Sequence, residues 1–371
     1  MGGDHAPDMV VAGADLARER CANVDYLFVG DEQRLCALLD KYPALKAISE
    51  IRHAPDVIGM DAKPSTALRA GRQSSMRLAI DAVAAGDAAC VVSAGNTGAL
   101  MAIAKFVLKT LPGIDRPAIA SFFPTQRGES VMLDLGANLE CDAENLVQFA
   151  AMGSVFCRTV LGVLEPTIGL LNVGSEEQKG HESVRQAAAA LRQTPLAKSF
   201  PGFIEGNDIG AGTVDVIVTD GFTGNVALKT AEGTAKLYAE FLRQTFSSSL
   251  LAKLGYLLAR GAFQKLKMRA DPRRYNGAMF LGLRGVCVKS HGGTDAVGFS
   301  NAIAVAVDLV QHGFNEKIKV ELAQLQAALA AASAPASPVV GPADMPAGDP
   351  PPVSPAAPAA PASASSTAAV L

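Results

Sequence analysis

What most limits the fold of this chain is a unit repeated along its first two-thirds. A short aliphatic run ends in Gly, Asn, Asp or Ser and gives way to a helical pattern. Tyr26-Leu27-Phe28-Val29 runs into Gly30-Asp31, and Cys90-Val91-Val92 into Ser93-Ala94-Gly95-Asn96-Thr97-Gly98. Val131-Met132-Leu133 runs into Asp134-Leu135-Gly136-Ala137-Asn138. Ile168-Gly169-Leu170-Leu171 and Val216-Ile217-Val218 repeat the pattern ahead of Asn172-Val173-Gly174 and Thr219-Asp220-Gly221. Strands alternating with helices pair in parallel, because each helix carries the chain back across the sheet. The predicted fold is therefore α/β, a Rossmann-like parallel sheet with helices on both faces. Composition agrees: 49% of residues are hydrophobic but only 5% are aromatic and Trp is absent, so small aliphatic side chains must fill the core. Strands buried on both faces use such residues.

In sheets of this kind ligands bind beyond the carboxyl ends of the strands. The polar, glycine-rich turns are thus expected to converge on one rim, where amides and helix N-termini favour anions. A single such turn is ordinarily a helix cap. Several with paired Asn and Asp exceed what capping requires.

Other classes are disfavoured. A net charge of −3 gives no general attraction to nucleic acid. The six cysteines are scattered without Cys-x-x-Cys spacing, so neither a disulfide framework nor a zinc site is expected. The first residues lack a basic region followed by an apolar stretch, and no apolar run reaches the roughly 18–20 residues of a membrane span. The protein is expected in the cytoplasm. From about Ser333 the sequence turns to Ala, Pro and Ser, with ten of the 21 prolines in that segment, and residues 333–371 are expected to be a disordered tail.

The turns occur in the order seen in bacterial phosphate acyltransferases. The matching segments are Met1–Pro7 (MGGDHAP), Lys63–Met76 (KPSTALRAGRQSSM), Ser93–Met101 (SAGNTGALM) and Leu133–Asn138 (LDLGAN). Leu171–Gly180 (LNVGSEEQKG), Gly206–Ile209 (GNDI), Val218–Val226 (VTDGFTGNV), Tyr275–Ala278 (YNGA) and Ser290–Gly292 (SHG) complete the set. The chain resembles the acyl carrier protein:phosphate acyltransferase (PlsX-type) family from Met1 to about Phe314. That resemblance implies a catalytic domain over residues 1–318, with a fold of the isocitrate and isopropylmalate dehydrogenase type shared with phosphate acetyltransferases. It also implies a homodimer that moves a fatty acyl group from acyl carrier protein to inorganic phosphate. A membrane glycerol 3-phosphate acyltransferase would consume the acyl phosphate. The family places a strand directly before the MGGDHAP loop, which here starts at Met1; either a start assigned too far downstream accounts for this, or the sheet lacks a member beside the site.

The implied chemistry asks little of the protein as a nucleophile, because phosphate itself attacks. No cofactor and no metal is expected. What is needed is a cradle for phosphate, donors for the thioester oxyanion and a proton for the leaving thiolate. Lys179, Asn96, Asn225, Asp220 and His291 are the candidate catalytic residues, with Lys179 first for the phosphate. Asp4, His5, Lys63, Arg69, Ser93, Thr97, Asp134, Asn138, Asn172, Glu176 and Asn207 are candidates for substrate binding. Asp4, Asp134 and Asp220 would repel phosphate if charged and close, and are expected to orient donors, accept a phosphate proton or bind a cation. A phosphate acetyltransferase acting on acyl-coenzyme A is the alternative within enzymes. Outside enzymes the alternative is a carrier-protein or membrane scaffold.

One segment stands apart. Between Ser249 and Arg274, inside a helical region at about 247–276, seven basic residues face one acid. Leu250, Leu254, Leu257 and Leu258 fall on one helical stripe. Lys253, Arg260, Lys265, Lys267 and Arg269 are the candidate contacts for acyl carrier protein or an anionic lipid surface, and peripheral membrane association is expected. Packing against a dimer partner is the competing explanation.

Overall fold

A computed structural model describes residues 1–269 and 271–333; the expected tail beyond Ser333 lies outside the described residues. Helix α1 (Asp8–Arg20) leads to strand β1 (Tyr26–Gly30), and α2 (Glu32–Leu39) and α3 (Pro43–Lys46) to β2 (Ser49–His53). Next, α4 (Pro64–Ala70) and α5 (Ser75–Ala85) precede β3 (Cys90–Ser93). Helix α6 (Thr97–Leu108) precedes the hairpin β4 (Ala118–Thr125) and β5 (Gly128–Leu133). The middle of the chain holds α7 (Ala143–Phe156), β6 (Ile168–Leu171), α8 (Glu182–Leu191), β7 (Gly202–Ile204), α9 (Gly206–Ala211) and β8 (Val216–Val218). Two long helices, α10 (Gly221–Ser247) and α11 (Leu250–Arg269), are followed by β9 (Ala278–Leu281), β10 (Val286–Lys289), α12 (Ala296–Gln311) and α13 (Phe314–Ser333).

Eight strands form one sheet in the order β3-β10-β9-β4-β5-β8-β6-β7, while β1 and β2 form a separate parallel pair. Alternation along the strands sorts the core. Val131 and Leu133 of β5 join one apolar cluster with α7, α8, α12 and α13, whereas Met132 joins a second with α5, α6 and α9. Phe156 of α7 is fully buried and its ring stacks on Phe122 at 5.3 Å. Helix α13 belongs to this core through Phe314, Ile318, Leu322 and Leu325, so ordered packing continues past residue 318.

The sheet is mixed, and this corrects the expected geometry of the site. β3 and β10 are parallel to each other, but β10–β9, β9–β4 and β4–β5 are antiparallel pairs, and β5, β8, β6 and β7 then run parallel among themselves. Val92, Val288, Met279, Ala120 and Leu133 lie level across the sheet. From that level β3 and β10 leave toward one end, and β5 leaves toward the other. The reason is the β4–β5 hairpin, whose Gln126-Arg127 turn reverses direction without a crossover helix, and the β9–β10 pair does the same. The turns therefore gather at two ends of the sheet rather than on one rim.

A groove of about 970 Å³ separates β1 from β3 and is lined by Tyr26, Phe28, Met76, Cys90, Val92 and Phe299. Met1 lies against Gly30 at the end of β1, and Gly2 against Gly95 just past the end of β3. The two strands thus finish side by side.

Candidate functional site

At the β3–β10 end, three loops meet. The Asp4 N–H donates to Gly292 O at 3.0 Å, and the Ser290 N–H to Ser93 O at 2.9 Å. A Cβ on Gly2 would fall 2.8 Å from Gly95 Cα, so this approach requires glycine. Asn276 ties the last loop down: its Nδ2 donates to Ser290 Oγ (2.8 Å) and Gly298 O (2.7 Å), and its Oδ1 accepts from the His291 N–H (2.8 Å). This joins the YNGA and SHG motifs into one unit.

Asp4, His5, Lys63, Arg69, Ser93, Asn96, Thr97 and His291 all fall at or beside this end. Asn96 caps α6 by accepting from the Ala99 N–H, while its Nδ2 faces Gly59 O, Met60 O and Ala62 O. Its side chain is spent on architecture, so the expected catalytic donor is instead the clasp between α6 and the Gly59–Lys63 loop. Thr97, exposed, begins α6, where the first amides have no helical carbonyl to reach. Ser93 Oγ accepts from the Gly95 N–H. Asp4, His5, Lys63, Arg69 and His291 are exposed, and His291 Nδ1 accepts from the Gly293 N–H.

Sequence reasoning passed over Lys289. It is 7% exposed, the last residue of β10, and its Nζ donates to Ser290 O and, at 3.4 Å, to Ala94 O. Burial lowers its pKa to about 8, with Asp4 partly opposing that shift. The signal was present as a lysine ending an otherwise apolar Val286-Cys287-Val288 run.

The opposite end is built around Asp134, fully buried. Its carboxylate accepts from the backbone of Ile119, Gly136, Ala137 and Asn138 and from Asn138 Nδ2, all at 2.7–3.1 Å. Burial still raises its pKa, against the pull of those donors. Asn138 Nδ2 also donates to Pro117 O, and Asn225 Nδ2 to Leu135 O. Asp220 caps α10 through the Thr223 N–H and Oγ1. Asp134 and Asn138 thus hold a turn, and Asn138 has both amide protons committed, leaving none to donate to phosphate.

Beyond β6 and β7 lie Asn172, Glu176, Lys179 and Asn207. Lys179 Nζ pairs with Glu176 Oε1 at 2.8 Å, each side chain about half exposed. Asn172 Nδ2 donates to Gly174 O and Lys179 O, and Asn207 sits exposed at the start of α9. Within one chain Lys179 and Asn225 share an end of the sheet, but Asn96 lies at the other, so the expected joint phosphate site of these three does not form.

The basic segment forms a hairpin. Phe246 of α10 packs on Tyr256 and Phe263 of α11 at 5.7 and 5.0 Å between ring centroids. The leucine stripe faces away: Leu250, Leu254, Leu257 and Leu258 are all more than half exposed, and Lys253, Arg260 and Lys265 are exposed as well. The side chains of Lys267 and Arg269 lie outside the described residues.

A family model described as fatty acid synthesis protein matches residues 1–317. Over 333 residues the chain is 84% identical to the phosphate acyltransferase of Rhodospirillum centenum, covering 90% of this chain and 94% of that one. The chain belongs to the phosphate acyltransferase family. A second phosphate acyltransferase, from Rhodospirillum rubrum, is 65% identical over 326 residues, 88% of this chain and 93% of that one. Among solved structures, a phosphotransacetylase from Streptococcus pyogenes matches with a TM-score of 0.57 at 16% identity, covering 82% of this chain and 92% of that one. A branched-chain phosphotransacylase from Enterococcus faecalis gives 0.51 at 13%, covering 84% and 97%. These likenesses bear out the predicted α/β fold of the phosphate acyltransferase chain. Among its described residues no helix is long and apolar enough to cross a membrane, and no group of three His, Cys, Asp or Glu is placed to hold a metal ion.

Proposed function

We propose that the protein transfers a long-chain fatty acyl group from a thioester to inorganic phosphate, yielding acyl phosphate for phospholipid synthesis. Acyl carrier protein is the proposed donor. The observation that carries the reading is the 84% identity to a phosphate acyltransferase across nearly the whole described chain. In the reaction a phosphate oxygen attacks the thioester carbonyl, the tetrahedral oxyanion collapses, and the thiolate leaves with a proton.

The geometry supports the β3–β10 end as the place of transfer. There the α6 N-terminus, the exposed Thr97, His5 and His291, and the buried cation of Lys289 come together. A cysteine nucleophile is disfavoured, since burial pushes Cys90 up to about 11 and Cys141 and Cys157 up to about 12. His291, exposed on the SHG loop, is the proposed proton donor to the leaving thiolate. Lys179 and Glu176 are proposed to serve docking of the donor rather than the phosphate, because they stand at the other end.

We also propose that the exposed Leu250–Leu258 stripe with Lys253, Arg260 and Lys265 meets acyl carrier protein or an anionic lipid surface, from a homodimer associated with the membrane periphery. Apolar side chains rimmed by cations suit both.

The deciding experiment supplies acyl-acyl carrier protein with and without phosphate and follows free carrier thiol. Release that depends on phosphate is expected. Equal release in its absence would identify a thioesterase, and preference for short acyl-coenzyme A would favour the phosphate acetyltransferase alternative.

A further inference from the structure

Lys289 is a buried cation at the proposed transfer end, and no role of its own has been given to it. Its backbone continues the buried Val286–Val288 run, so its stem crosses apolar core and its ammonium emerges beneath the junction of three loops. An ammonium has three protons to donate. Two carbonyls receive them, Ala94 O from the turn after β3 and Ser290 O from the turn after β10. The third loop supplies Asp4, the charged side chain that acts on it. The turn Ser93–Asn96 carries no charge. His291 spends Nδ1 on the Gly293 N–H, and Asp295, capping α12, is held by Arg273.

We infer that Lys289 is a positioning residue for phosphate: its ammonium fastens the Ala94–Asn96 turn to the Ser290–Gly293 turn and keeps a positive charge directly behind them. The inference rests on the reading of the protein as an acyltransferase to phosphate. Fixing two turns from beneath places the exposed groups above them, Thr97 and His291, at a set separation. A purely structural lysine at this depth would be better replaced by an apolar side chain, since burying a charge costs more than two neutral acceptors return. Here the charge is also close to being lost, because burial brings it to about pH 8. Protonation of Lys289 therefore decides whether a positive charge stands behind the two turns, since the neutral amine keeps two N–H donors for the carbonyls but no charge.

The test compares wild type, Lys289→Arg and Lys289→Met, as full chains, in phosphate-dependent thiol release across about pH 6 to 10. Thermal melting is followed in parallel. Wild-type kcat/KM for phosphate should fall above about pH 8, while the melting temperature does not fall with it. Lys289→Met should lose about a hundredfold at neutral pH, chiefly in KM for phosphate, with no alkaline limb. Lys289→Arg, which keeps its charge, should recover most of the activity and hold it past pH 8. A Lys289→Met enzyme near wild type, or a Lys289→Arg enzyme with the wild-type alkaline limb, would overturn the inference. Should Lys289→Met fail to fold, the Lys289→Arg profile decides alone. If wild type releases no thiol in response to phosphate at any pH, the acyltransferase reading fails and takes this inference with it. An active wild type with indifferent variants sinks the inference alone.

Discussion

The two ends of the sheet each bury one charge, and they treat it differently. Asp134 receives four backbone amides and one side-chain amide, all within 3.1 Å. Lys289 has two carbonyls and a carboxylate that acts on it without bonding to it. A saturated charge fixes a turn and has nothing left to give a ligand. An under-supplied one stays sensitive to proton and to neighbour, as groups at working sites tend to be. The contrast is what assigns substrate to the β3–β10 end.

The sharpest way to break this comparison is to remove the charge at the scaffold end. Asp134→Ala should cost about 3–5 kcal/mol in denaturant unfolding, because it orphans several buried donors at once. A loss below 1 kcal/mol would show that the turn holds without its carboxylate.

At the other end, the pH dependence of stability should run opposite to that of activity. The Lys289 pKa is about 8 in the fold against 10.5 unfolded. Below about 8 both states carry the proton and the fold bears the full cost of the buried charge. Between those values the folded state has released a proton that the unfolded state keeps, so stability rises with pH. Relative to Lys289→Met, wild type should gain about 2 kcal/mol from pH 8 to 10.5 by chemical denaturation, and a flat difference would remove the burial argument.

Charge reversal on the α11 hairpin tests a surface that holds neither buried charge. Lys253→Glu, Arg260→Glu and Lys265→Glu together should raise KM for the carrier substrate or weaken liposome binding by about tenfold at low salt, with little change in melting temperature. Indifference of both, at any salt, would assign the leucine stripe to subunit packing.

The smallest effects are expected where side chains belong to neither buried charge. Lys179→Ala should change turnover at limiting phosphate by less than about threefold, as expected for an exposed ion pair. A larger loss would move the phosphate to the β6 end. Cys90→Ala should leave turnover intact, and its inactivation would contradict a half-buried, protonated thiol.

The sequence made the strands legible, since β1, β3, β5, β6 and β8 all sit on the aliphatic runs that predict them. Most of the turn motifs were legible too, because glycine at close approaches and Asn or Asp at caps answer to local backbone geometry. Strand direction was not. Whether Phe123 and Ser130 face each other in an antiparallel hairpin depends on the two-residue connection Gln126-Arg127, which lacks the Asn-Gly or Gly-Gly marks of a tight turn. That one reversal, with β9–β10, splits the candidate site in two. The role of Asn96 was hidden for a related reason: its three carbonyl partners come from residues 34 to 37 positions earlier, a contact no local pattern announces. Lys289 went unnoticed because it ends a core strand, one residue ahead of the SHG motif rather than inside it.

The groove beside β1 has a consequence for how the molecule behaves in company. Among the described strands β1 pairs only with β2 and β3 only with β10, so each keeps one unpaired margin, and both strands line the groove. An unpaired margin can accept an added strand, and β1 has five residues where β7, at the far margin of the large sheet, has three.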